Sequence, residues 1–138
     1  MKKIKYASLE VGKEIPELVK QPSTQQLVMW AGASGDFNPI HYDKDFSTSK
    51  GLPGVIVPGQ LVLAFLVEMV TDWLGDSGEL KKISVSYKGM NFPGSTITCR
   101  GVIKAKLDSE RQLTLDIWAE NPAGEKTVAG TAAVTFAA

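Results

Sequence analysis

Asp36, Asn38 and His41 fall within six residues in Gly35-Asp36-Phe37-Asn38-Pro39-Ile40-His41, and His41 is the one histidine of the chain. A carboxylate and an imidazole brought to one cavity can grip a water: one group takes its proton while the other delivers a proton elsewhere. Pro39 biases Asn38 toward extended backbone, so the chain cannot simply continue as helix from Asp36 and has to bend. The same Asp-x-Asn-Pro run is also good turn chemistry, because both short side chains bond readily to nearby backbone. Gly59 supplies a second element at the opening of an apolar stretch. The first turn of a helix leaves N–H groups free, its dipole favours negative charge, and glycine admits a close approach. A thioester carbonyl placed there would meet an oxyanion hole for the enolate that forms when water adds. Pro58-Gly59 reads equally well as a plain helix start.

Several elements must position these groups. Ser23-Thr24-Gln25-Gln26 has capping-box spacing, and Leu27, Trp30, Ala31 and Ser34 follow at helical intervals, so a short helix ends near Gly35. From Asp36 to Gly59 the chain is punctuated by Pro39, Gly51, Pro53, Gly54 and Pro58, yet it is too apolar for disorder. This predicts a long packed loop, with Asp43 capping one helical turn through Phe46. Gln60 to Gly75 is apolar on nearly every side, which predicts a central helix surrounded by protein. After Gly78 the period becomes two. Strands are expected around Ile83 to Tyr87, Ser95 to Lys106, Gln112 to Glu120 and Thr127 to Phe136, antiparallel because the connections are short. Glu10 to Pro22 reads as a lead-in loop or short edge strand. Helix then strand meander makes an α+β domain with the helix against a curved sheet. Trp73 and Trp118 fit core positions, while Lys81, Lys82 and Lys88 fit the solvent face of the sheet.

The 138 residues amount to about one domain, read as 1–138. Fifteen Lys and Arg balance fifteen Asp and Glu, so no general field attracts a polyanion and nucleic acid is not an expected partner. Cys99 is the only cysteine, which excludes an internal disulfide and a cysteine-built metal site. Its strand-like setting reads as a small buried thiol. Met1 to Gly12 has lysines but no apolar core after them, unlike a signal peptide, and no run approaches the ~18 apolar residues of a membrane span. A reduced, cytoplasmic setting without membrane attachment is the expectation.

The run Gly35-Asp36-Phe37-Asn38-Pro39-Ile40-His41, with Ser47 six positions after His41, resembles the signature of the MaoC-like, R-specific enoyl-thioester hydratases. The resemblance extends from Ser8-Leu9-Glu10-Val11-Gly12 to the strand ending at Phe136. It implies a hotdog fold, a long central helix wrapped by a curved antiparallel β-sheet, with two units pairing as a double hotdog. Carried over, Asp36 and His41 are the catalytic pair that activates water, and Asn38 helps position water or substrate. Gly59 is the glycine whose N–H faces the thioester carbonyl. The implied reaction is reversible syn hydration of a trans-2-enoyl thioester to the (R)-3-hydroxyacyl thioester. It needs no metal and no redox cofactor, and CoA or acyl carrier protein serves as the carrier. A homodimer or larger assembly is implied, and a heterodimer is possible. Where many members have Ala-His-Gly-Met, this chain has Val57-Pro58-Gly59-Gln60, which removes one N–H and adds a polar side chain at the turn. Three other readings are a hotdog acyl-thioesterase, the catalytic subunit of a heteromeric 3-hydroxyacyl-carrier-protein dehydratase, and a non-catalytic binding subunit.

Overall fold

Ser23 caps the first helix as its spacing to Gln26 predicts: its Oγ accepts the Gln26 N–H at 3.2 Å, and helix α1 runs Thr24–Ser34. The computed structural model describes residues 3–137. Leu27 and Ala31 of α1 are buried, Trp30 partly so, and Gly35 ends the helix in the left-handed conformation at φ 79°. That turn, which strains most side chains but not glycine, directs the chain into Asp36. The long loop contains more helix than its punctuation suggests. A 3-10 turn covers Pro39–His41, and α2 covers Lys44–Ser49, past Phe46, where the expected single turn ends. Asp43 does cap it, accepting the Phe46 N–H at 3.0 Å.

Helix α3 spans Gly59–Leu74 and stops at Gly75. Its buried stripe is Leu61, Val62, Phe65, Leu66, Met69, Val70 and Leu74, a periodicity that turns one face to the sheet. The opposite side, at Leu63, Ala64 and Val67, is only half-covered within this chain. The expectation of a helix enclosed all round therefore holds for one face alone.

The strands are β1 (Glu14–Lys20), β2 (Gly78–Tyr87), β3 (Ile97–Leu107), β4 (Gln112–Glu120) and β5 (Lys126–Phe136). They form one antiparallel sheet in the order β1-β3-β4-β5-β2, and α3 contacts all five strands. Together they make the α+β hotdog arrangement that the resemblance implies. Glu10 to Pro22 does contain a strand, and β1 is an edge. The simple meander fails at one step: β2 pairs with β5, not with β3. Residues 88–96 cross between them, and a segment of that length reaches ~30 Å, ample for the width of two intervening strands. Leu113, Leu115, Ile117 and Ala119 of β4 point at α3. Strand alternation then sends Trp118 to the outer face, so Trp118 is not a core residue. There its Nε1 donates to Glu120 at 3.0 Å and Lys126 Nζ sits 4.3 Å from its ring centre. Trp73 does pack on the core, edge-on to Phe136. Lys81, Lys82 and Lys88 are exposed as expected. Among the described residues no helix is long and apolar enough to cross a membrane.

Candidate active site

The loop after Gly35 is built from short side chains bonding their own backbone. Ser34 Oγ accepts the Asp36 N–H at 3.1 Å, Asp36 Oδ1 accepts the Asn38 N–H at 3.2 Å, and Asn38 Oδ1 accepts the Ile40 N–H at 3.3 Å. Tyr42 adds an external clamp, its hydroxyl donating to the Phe37 carbonyl at 2.9 Å. The two carboxylate oxygens of Asp36 thus have different surroundings. Oδ1 holds the turn, and Oδ2 lies 3.8 Å from His41 Nε2.

His41 is held from the other side. Its Nδ1 is 2.8 Å from the Ile56 carbonyl oxygen. A carbonyl only accepts, so Nδ1 carries the hydrogen and the neutral ring presents a bare lone pair at Nε2. Ile56 is itself fixed, because its N–H donates to the Ile40 carbonyl at 3.0 Å. Ser47, fully buried, donates to that same Ile40 carbonyl at 3.0 Å and approaches the Asp43 carbonyl at 2.9 Å. The Ser47 of the signature thereby clamps both flanks of the histidine.

His41 is 8% exposed, whereas the Asp36 side chain is 41% exposed. Asp36 therefore stands at the solvent side of a nearly buried imidazole. The 3.8 Å between Nε2 and Oδ2 is too long for a direct hydrogen bond, and one water at ~2.8 Å from each can bridge it.

His41 opens onto a pocket of about 280 Å³ that also contains Gly59, Gln60, Tyr87, Met90 and Asn91. Gly59 is the first residue of α3, and Leu61 and Val62 N–H groups already donate to the Pro58 carbonyl. The amides ahead of them, Gly59 and Gln60, have no backbone acceptor among the described residues. The pocket wall is stiff. Val57 N–H donates to the Asn91 carbonyl at 2.8 Å, and the buried Asn91 side chain donates to Thr127 Oγ1 at 2.9 Å.

The structure brings Asp36, His41 and Gly59 to one region. Asn38 lies beside them but is exposed, with its side-chain oxygen turned onto the Ile40 N–H, so its direct service here is to the turn. Residue types alone do not reveal the Ile56 carbonyl that orients His41 or the Tyr87 ring in the pocket wall. The first is a backbone atom common to all residues. The second sits at the end of a strand whose alternation marks no ligand. Cys99 is fully buried, and burial pushes its thiol up to about 12, so it is no nucleophile near neutrality. Among the described residues no three His, Cys, Asp or Glu side chains gather as a metal-holding group.

Comparison with known proteins gives the family and the fold. The chain is 32% identical over 109 residues to the fatty acid synthase subunit beta of Aspergillus oryzae, covering 77% of this chain. It spans only 5% of the length of that relative. It is 28% identical over 128 residues to the (R)-specific enoyl-CoA hydratase of Aeromonas caviae, covering 92% of this chain and 95% of the relative. The solved structure of the (R)-hydratase from A. caviae superposes with a TM-score of 0.88 at 27% identity, over 94% of this chain and 98% of that one. The ChsH1-ChsH2 complex from Mycobacterium tuberculosis gives a chain with a TM-score of 0.83 at 26% identity, over 93% and 98%. The family model described as MaoC like domain matches residues 8–118, most of the chain, and this protein belongs to the MaoC-like hydratase and dehydratase family.

Proposed function

We propose that this chain adds water to trans-2-enoyl thioesters, giving (R)-3-hydroxyacyl thioesters, and runs the same step in reverse. The observation that supports this reading is the His41 Nε2 lone pair facing Asp36 Oδ2 across 3.8 Å, beside a pocket with the Gly59 amide in its wall. With the thioester oxygen on the Gly59 N–H, a water held between the pair gives up a proton to it. The water oxygen bonds to C3, and the C2=C3 electron pair moves through C1 onto oxygen as an enolate. The proton then passes to C2 from the side where the water stood, which is syn addition. The enolate's charge develops next to a helix start, where free N–H groups and the dipole stabilise it. The addition changes no oxidation state overall, so it calls for no redox group, and it requires no metal. CoA or acyl carrier protein is the handle. The R configuration is the one named for the A. caviae relative.

Pairing belongs to this reading. β2 is a ten-residue sheet edge, and one side of α3 leaves Leu63, Ala64 and Val67 half-covered. A second copy laid edge to edge would satisfy the strand and cover the helix, forming a double hotdog. A related chain could take that place, as in the two-component ChsH1-ChsH2 complex; the Asp36 and His41 pair would make this chain the catalytic member.

The purified chain, assayed alone with crotonyl-CoA, should remove the enoyl absorbance without releasing free thiol. Thiol release with no hydration would replace this reading by thioester hydrolysis. Light scattering on the same sample should give twice the chain mass. A lone chain that is inactive but rescued by a second polypeptide would establish the mixed pair.

A further inference from the structure

The alternation of β2 ends at Tyr87, whose ring is seated on Gly59 across the pocket. If residue 59 carried a Cβ, Tyr87 Cδ1 and Cε1 would lie 2.8 Å from it and Cζ 3.3 Å. A Cβ there would force the ring to shift. Gly59 does not have a positive φ, so backbone conformation does not demand glycine there. What glycine permits there is the seating of the Tyr87 ring. The phenol oxygen is one bond beyond Cζ, on a ring that lines the same pocket as the first, unpaired amide of α3. Two of the three tyrosine hydroxyls are already engaged, Tyr6 on Asp108 and Tyr42 on the Phe37 carbonyl. The Tyr87 hydroxyl has no partner among the described residues, and its side chain lines the same pocket as His41 and Gly59.

We propose that Tyr87 is a catalytic residue of the hydration site. Its O–H donates to the thioester oxygen that the Gly59 N–H also meets, so the developing enolate has two donors, one from backbone and one from a side chain. This role rests on the hydration reading above. It also accounts for the turn's composition: Pro58 has no N–H to offer, and the phenol supplies a second donor from across the pocket. Tyr87 is half-exposed, so its hydrogen bond is weaker than one in a dry oxyanion hole, where a single donor is worth about 10²–10³ in rate.

Two measurements test it. Tyr87→Phe keeps the ring and removes the donor. Its kcat for crotonyl-CoA should fall on the order of tenfold, with KM changed much less, because the bond strengthens as charge develops. In thermal unfolding, Gly59→Ala should lower Tm in the wild-type background and should not lower it in a Tyr87→Ala background, where the ring is gone. A Tyr87→Phe variant with wild-type kcat overturns the donor role while leaving hydration by Asp36 and His41 intact. Equal Tm losses from Gly59→Ala in both backgrounds overturn the seating of the ring on Gly59. A wild-type chain that hydrates no enoyl-CoA overturns the hydration reading and this role together.

Discussion

The two ends of α3 each border a hollow, and the larger one has the less reactive chemistry. At the C-terminal end a cleft of about 900 Å³ lies between the N-terminal segment, β1, Trp73 and Arg100. At the N-terminal end the pocket is about 280 Å³. Arg100 in the large cleft is already paired, with Glu17 at 2.8 Å and Glu120 at 2.9 Å. Nearby, the Gly75 N–H closes on the Thr71 carbonyl, and the Ile4 N–H is taken by Ser77. The helix dipole there also favours cations over a developing oxyanion. The small pocket has unpaired amides and an imidazole of defined tautomer. Unfilled hydrogen-bonding capacity next to the correct sign of the helix field, not volume, marks the site.

The largest expected effect comes from breaking the small pocket. Asp36→Asn and His41→Ala should each lower the hydration rate on the order of 10²–10⁴-fold, read as kcat with enoyl-CoA. Wild-type rates in both variants would remove the contrast between the two ends. Ser47→Ala sharpens it next. Loss of the buried hydroxyl takes one donor from the Ile40 carbonyl and should cost about 1–2 kcal/mol in chemical denaturation. The activity lost should exceed the fraction unfolded, because the His41 flank loosens too.

Smaller effects belong to the large cleft and to Glu120, which pairs with its Arg100. The hydrogen bonds from Trp118 and Arg100 hold the Glu120 carboxyl below the usual carboxylate range. A depressed folded value means this contribution is complete above the unfolded pKa and fades as pH falls through the folded one. Glu120→Gln should therefore lower Tm at neutral pH, with the difference from wild type closing in acid. Equal differences at both pH values would show that the carboxylate's charge is irrelevant. Lys13→Ala, at the cleft wall, should leave the hydration rate within about twofold, the scale of an ordinary surface change. A large loss there would join the two hollows functionally.

Short-range patterns carried much of the local structure. Ser23 and Gln26 mark the start of α1, the period of two gives Gln112–Glu120 with its own bounds, and Gly75 marks the end of α3. Asp36, Asn38 and His41 stood out because residue type and spacing express acid–base capacity directly. Pairing of β2 with β5 and the ring of Tyr87 on Gly59 were not legible, since each depends on where the crossing at 88–96 sends the chain, whereas the outward turn of Trp118 was written in its alternation with Thr114 and Asp116. Which nitrogen of His41 is bare was equally hidden.

The amino-acid order alone determined the helix and strand periods, the bend at Pro39 and the presence of a carboxylate and an imidazole within one turn-rich loop. Only the tertiary structure decided that the Ile56 carbonyl takes the Nδ1 hydrogen and that Asp36 Oδ2 faces the freed nitrogen. The physical reason is range: propensity and capping act over a few residues, whereas a tautomer is chosen by a carbonyl fifteen positions away, delivered by the packing of the loop.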